Sequence, residues 1–246
     1  MSLFNFGSLS NARIIELAQL SAASYEGGTP PSGWSTLTGA TLGFEDGLFT
    51  PGSYDGETYV GGVGFVGLPA ARVYRNGSEL AISFRGTDSA GDYATYPDIL
   101  GNNNYINAFN SLLDTVRTFS SDPTNGITQV YVTGHSLGGA AANILRNVSG
   151  EDYGGFYDDA IYFTLATPKV SGDPRILNVG FENDWVFKVI SRLTPFVESD
   201  FVSTTDNFIL YDDAYSDPDF PGLVFGPGDT TAHDSNGYVD AIRRVT

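Results

Sequence analysis

The ten residues Val130-Tyr131-Val132-Thr133-Gly134-His135-Ser136-Leu137-Gly138-Gly139 constrain this chain more than any other stretch. An apolar, β-type run leads into Gly-His-Ser-Leu-Gly, and a small-residue segment with Ala140, Ala141, Ala142, Ile144 and Leu145 follows. The pattern predicts a strand, a sharp turn and a helix, with Ser136 at the apex. A side chain held on so tight a turn leaves no room for a Cβ two residues before it or two after, which accounts for Gly134 and Gly138. Ser136 would then project its hydroxyl above a sheet edge, over a helix N-terminus that stabilises negative charge. That is the setting of a nucleophilic serine.

A serine hydroxyl is a poor nucleophile until a base takes its proton, and the usual base is histidine. The chain has two histidines. His135 adjoins the serine in the turn, where its side chain points the wrong way, so the base is expected to be His233, in Ala232-His233-Asp234-Ser235. The histidine needs a carboxylate to fix its tautomer. On a strand–turn–helix nucleophile the acid lies between serine and histidine in the chain, at a strand end. Asp184 fits, after the run Leu177-Asn178-Val179-Gly180-Phe181 and the turn Glu182-Asn183; Asp173, Asp200 and Asp206 are the alternatives. An oxyanion also needs donors. One is expected from the backbone N–H of Leu137. The other is expected from Thr87, by its N–H and its hydroxyl, where Phe84-Arg85-Gly86-Thr87 ends an early strand.

Composition narrows the class. At 246 residues the chain fits one large α/β domain, residues 1–246, with a core able to fold without staples. Acidic residues outnumber basic ones 29 to 12, for a net charge of −17, which argues against nucleic acid and against charge-driven binding to anionic membranes. There is no cysteine, hence no disulfide, no thiolate metal site and no cysteine nucleophile. Residues 1–10 carry no basic residue and no long apolar run, so no cleavable signal peptide is expected. No apolar stretch approaches the ~18 residues of a membrane span, so a soluble protein without a transmembrane segment is expected.

Along the chain, residues 11–24 read as a helix with Ser10 as its cap and Ile14, Leu17, Ala18 and Ala22 at helical spacing. Residues 29–68 are rich in Gly, Ser, Thr and Pro and read as short strands and loops. Residues 71–84 form a hairpin about Asn76-Gly77. A polar piece, 89–104, precedes an amphipathic helix over 105–119, whose buried stripe is Ile106, Phe109, Leu112, Leu113 and Val116. Strands are expected at 160–167 and 176–181, and a short last helix near 239–243. Strands alternating with helices predict a mostly parallel central sheet flanked by helices.

Phe84-Arg85-Gly86-Thr87 together with Gly134-His135-Ser136-Leu137-Gly138-Gly139 resembles the class 3 lipases, of the α/β-hydrolase fold, and more closely their bacterial family I.3 members. Gly154-Gly155-Phe156-Tyr157, the run from Asn178 to Asp184 with Val186-Phe187, and Thr204-Thr205-Asp206-Asn207 carry the resemblance further. It covers the chain from about Leu80 onward; the first seventy residues match loosely. It implies Ser136 as nucleophile, Asp184 as acid and His233 as base, with Thr87 and Leu137 at the oxyanion hole. It implies a secreted carboxylester hydrolase, a lipase or esterase acting on lipid or small esters at a lipid–water interface. Phospholipase A1 and polyester hydrolysis are alternatives on the same triad, with Phe109, Trp185 and Phe225 as candidate apolar lining. A non-catalytic acidic binding domain would be a different class, marked by loss of a triad member, and none is lost.

Two departures from that family stand out. Its calcium-binding glycine- and aspartate-rich repeats are missing, as in a stand-alone relative or an excised catalytic domain. The segment between Thr87 and Tyr105 is also short. The chemistry calls for no cofactor, but a structural calcium has candidate ligands in Asp92 and Asp98, or in Asp212, Asp213, Asp217 and Asp219. Such a hard cation takes about six or more oxygens. The sequence sets no oligomeric state.

Overall fold

The computed structural model describes residues 9–44, 49–50, 52–56, 59–60, 66–67, 69–86, 104–168, 173, 175–181, 184, 207–210 and 233–246. Helix α1 (Asn11–Ala23) starts where Ser10 accepts a hydrogen bond from the Arg13 N–H, so the expected cap is the one used. Ile14, Leu17 and Leu20 on its inner face have no exposed surface. Burial of these three side chains stabilises the packing by roughly 5–9 kcal/mol. The Gly- and Pro-rich stretch that follows gives only short elements: β1 (Ser35–Thr36), α2 (Gly39–Leu42), β2 (Phe49–Thr50), β3 (Ser53–Asp55), β4 (Tyr59–Val60) and β5 (Val66–Gly67).

Strands β6 (Ala70–Asn76) and β7 (Glu79–Phe84) form the expected hairpin, one residue out of register with the prediction. Asn76 pairs with Glu79, so the turn is Gly77-Ser78 and not Asn76-Gly77. Gly77 alone takes a positive φ there, 60°, as a type II′ turn requires of its first central residue. The helix expected over 105–119 begins as a 3₁₀ segment, Asn104–Phe109, and continues as α3 (Asn110–Ser121). Phe109 at the junction makes no side-chain cap, and all five residues of the predicted stripe are buried. Then come β8 (Gln129–His135), α4 (Leu137–Asp152), β9 (Ile161–Leu165), β10 (Ile176–Phe181), β11 (Asn207–Leu210) and α5 (Ser235–Val245).

Among the described residues, nine strands make one mixed sheet, ordered β11-β10-β9-β8-β7-β6-β3-β2 with β1 on β6. The run from β7 to β11 is parallel, and the strands on the other side of β7 pair antiparallel. The predicted parallel sheet is therefore the half that carries the serine. Alternation along the strands sends side chains to two cores. Leu80, Ile82, Phe84 and Val132 meet α3 and α4, while Ala81, Tyr131, Phe163 and Leu177 meet α1 and α5. Polar side chains in these layers are bonded: Ser21 of α1 to Thr133 of β8, Ser83 to the Leu20 carbonyl, and Asn143 of α4 to Asn178 of β10. Arg146 of α4, with a side chain 2% exposed, pairs with Asp158 and Asp173 at 2.6 and 2.8 Å. Among the described residues no helix is long and apolar enough to cross a membrane.

Candidate active site

The parallel strands end along one edge, and the residues of interest sit there. The chain leaves β8 at His135 and enters α4 at Leu137, so Ser136 alone makes the turn, at φ 58° and ψ −127°. Few residues other than glycine accept such a backbone, and it persists only where surroundings over-determine it. Here the Ser136 N–H donates to the Leu165 carbonyl at 2.9 Å, and the Ala140 N–H donates to the Ser136 carbonyl at 3.1 Å. Three glycines let the backbones close up. A Cβ at Gly134 would overlap the Gly138 carbonyl, one at Gly138 would overlap the carbonyl of Phe84, and one at Gly139 would lie 2.8 Å from the Cβ of Thr167. The last is a contact that the small-residue pattern pointed to without naming its partner.

The Ser136 side chain does not cap α4, although it stands at the cap position. Its hydroxyl lies 2.8 Å from His233 Nε2. On the other side of that ring, His233 Nδ1 lies 2.8 and 3.0 Å from the two carboxylate oxygens of Asp184. His233 directly precedes α5, whose own cap is Asp234, accepting from the Gly237 N–H. Asp184 stands three residues past the end of β10, wholly buried, with its N–H donated to the Phe181 carbonyl. The structure thus brings together Ser136, His233 and Asp184, which lie 97 and 49 residues apart in the chain. Asp173, an alternative acid, is engaged elsewhere, by Arg146 and Arg175. Asp200 and Asp206 lie outside the described residues.

Leu137 opens α4, so its N–H belongs to the first helical turn, whose amides have no carbonyl partner within the helix. Thr87 lies outside the described residues. Its neighbour Gly86 runs against the serine turn, where an added Cβ would be 2.8 Å from the Ser136 Cβ. Phe109, a candidate for apolar lining, is instead core: it has no exposed surface and packs on Phe84, Tyr54 and Tyr105. Its place in the buried stripe wins over any surface role. Trp185, Phe225 and the candidate calcium ligands Asp92, Asp98, Asp212, Asp213, Asp217 and Asp219 lie outside the described residues.

Three further side chains complete the arrangement, and sequence reasoning did not find them in this role. The Tyr238 hydroxyl, from α5, donates to Asp184 Oδ2 at 2.7 Å and accepts from the Phe181 N–H at 2.8 Å. His135 is 3% exposed, and its ring centroid is 4.8 Å from that of His233. Burial holds its pKa well below the ordinary histidine value, and the His233 imidazole works in the same direction; the His233 backbone opposes both, weakly. Tyr25, just beyond α1, places its hydroxyl 2.7 Å from His135 Nδ1. A cavity of about 630 Å³ between the end of α1 and the start of α5 is bordered by both histidines. A buried tyrosine five positions after the expected base was the one available signal for Tyr238. For Tyr25 there was none.

Comparison with known proteins bears on the family and the fold. Residues 102–202 match the family model described as lipase (class 3). A lipase of Pseudomonas fluorescens is 30% identical over 248 residues, an alignment covering 87% of this chain and 50% of the relative. A second lipase of the same organism is 34% identical over 146 residues, covering 56% and 32%. The chain thus spans half or less of the length of these relatives. Among solved structures, the extracellular lipase LipA from Serratia marcescens superposes with a TM-score of 0.57 at 24% identity, over 76% of this chain and 42% of that one. That likeness shows the fold, which is the α/β-hydrolase fold.

Proposed function

For a chain that is a relative of the class 3 lipases and has their α/β-hydrolase fold, we propose the activity of a serine carboxylester hydrolase working through an acyl-enzyme. The observation that carries this reading is the single imidazole of His233, with the Ser136 hydroxyl 2.8 Å from one nitrogen and the Asp184 carboxylate 2.8 Å from the other. In the first half-reaction His233 Nε2 takes the Ser136 proton as Oγ attacks the ester carbonyl. The negative oxygen that forms is held by the Leu137 N–H and by Thr87. Collapse breaks the ester C–O bond, and His233 returns the proton to the departing alcohol. In the second half-reaction water, deprotonated by the same nitrogen, releases the acid and restores Ser136. Asp184 holds the ring in the tautomer with its proton on Nδ1 and offsets the transient imidazolium charge.

The substrates of this reading are acylglycerols or other lipid or small esters met at a lipid–water interface, and the protein acts outside the cell. Both follow from the lipases that the chain resembles, one of which is extracellular. Phospholipase A1 and polyester hydrolysis use the same triad, and a profile of activity against acyl length, above and below substrate solubility, separates them. The chemistry of this reading requires no cofactor. A structural calcium would show as a chelator-dependent melting temperature.

The test is Ser136→Ala. It is expected to abolish hydrolysis of a short chromogenic ester and labelling by a fluorophosphonate, with the melting temperature retained. Removing a nucleophile of this kind costs on the order of 10⁶ in turnover. Turnover retained in the variant, or a parent protein that neither hydrolyses nor labels, would overturn the assignment.

A further inference from the structure

We propose that Tyr25 and His135 are a positioning pair, a bonded hydroxyl and imidazole that hold the His233 ring in line with Ser136. The inference rests on the triad reading above and adds two residues to it that never touch substrate.

Four observations converge. The His135 ring lies against the ring of His233 at 4.8 Å between centroids and 41° between planes, and the Tyr238 ring of α5 stands edge-on to it at 5.9 Å. A catalytic imidazole must keep its orientation as it gains and loses a proton, and the His233 side chain, 10% exposed, borders the cavity of about 630 Å³. His135 supplies a planar contact there. Secondly, the Tyr25 hydroxyl bonds His135 Nδ1 at 2.7 Å, which fixes the rotation of that ring. Among the described residues the bond to Tyr25 is the directed side-chain restraint on that ring, which the His233 backbone also approaches.

Thirdly, Tyr25 is itself held. Arg72 Nη1 donates to the Ala23 and Gly28 carbonyls at 2.8 and 3.1 Å, clamping the segment on both sides of Tyr25. Fourthly, the Tyr25 hydroxyl sits under Gly86, where any Cβ would collide with it, and the same Cβ would lie 2.5 Å from the His135 carbonyl. The pair therefore touches both halves of the machinery, the base and the strand end that leads to Thr87. Charge supports the geometry. A protonated imidazole at 4.8 Å would set a second positive charge against the His233 imidazolium, and burial holds the His135 pKa well below the ordinary histidine value.

The experiment uses Tyr25→Phe, which keeps the aromatic ring and removes only the hydroxyl, His135→Phe, which keeps a planar ring and removes the acceptor, and the double variant. Fluorophosphonate titration counts competent sites, and kcat per titrated site and KM are read with a short soluble ester. We expect kcat per site to fall about tenfold in each single variant with KM little changed, within the ~10²-fold that a displacement of ~1 Å can cost. The double variant falls no further than the worse single, because both remove one bond. Should His135→Phe fail to fold, Tyr25→Phe carries the test alone. A kcat per site within about twofold of the parent, or a loss seen only as fewer titratable sites and a lower melting temperature, overturns the pair while leaving the triad standing. A parent protein that does not label or turn over overturns the triad instead.

Discussion

Removing one oxygen atom, in Tyr238→Phe, tests how the carboxylate of the triad is held. The hydroxyl donates to Asp184 Oδ2 at 2.7 Å and accepts from the Phe181 N–H at 2.8 Å, in a residue with no exposed surface. The ring's own contacts, stacked on Phe181 at 4.1 Å and edge-on to His135, survive the change. What is lost is one hydrogen bond to a charged acceptor, about 1.5–3 kcal/mol net, and one neutral bond, about 0.5–1.5 kcal/mol. A combined loss of about 2–4.5 kcal/mol lowers the melting temperature by roughly 4–18 °C in a chain of this length. Asp184 keeps both contacts to His233, so turnover falls far less than the ~10⁴ that follows loss of the carboxylate. About tenfold, or ~1.4 kcal/mol at the transition state, is expected. Thermal melts followed by circular dichroism, run on the variant and on the same change in a Ser136→Ala background, read the stability. Ester hydrolysis per titrated site reads the activity. A melting temperature within about 2 °C of the parent would refute the reasoning, since the buried acceptor would then have needed no donor.

Gly138→Ala drives a Cβ into the carbonyl of Phe84, which is backbone of a central strand and cannot swing aside. It is expected to cost about 3 kcal/mol, the upper part of the range for overpacking, and soluble yield and melting temperature measure it; an unaltered melt would contradict the close approach. For pH, His135 has its folded pKa held below its unfolded value by burial, so the unfolded chain binds a proton that the folded one refuses. The stability this confers is fully present above pH ~6.5 and is lost as pH falls below that value toward the depressed one. His135→Phe should accordingly flatten the fall in melting temperature between about pH 6.5 and 5 relative to the parent. Parallel curves would show that the ring's charge has no part in it. The groups facing this ring are Tyr25 from the end of α1, His233 and Tyr238.

What the sequence determined by itself was local. The turn at Ser136 needs glycines within a few residues, and those constraints are written in the residues that obey them. The same holds for the Ser10 cap, for the β10 run from Ile176 to Phe181, and for the two-faced stripe of residues 105–119. Even locally, a hairpin read from Asn76-Gly77 slipped by one residue, because pairing of Asn76 with Glu79 across the sheet, and not the dipeptide, sets the turn.

Only the tertiary structure decided which carboxylate meets His233. Four aspartates were candidates by chain order and strand position together, and the adjacency of β10, β9 and β8, with α5 packed beside α1 on one face of the sheet, brings Asp184 there, while Arg146 draws Asp173 away. The same packing decided that Phe109 is core, and that Tyr238, His135 and Tyr25 converge on the histidine. The physical reason is range. Steric rules for a turn act over about four residues, whereas a hydrogen bond between residues 97 apart exists only once crossovers and two hydrophobic layers have fixed where each strand end lies.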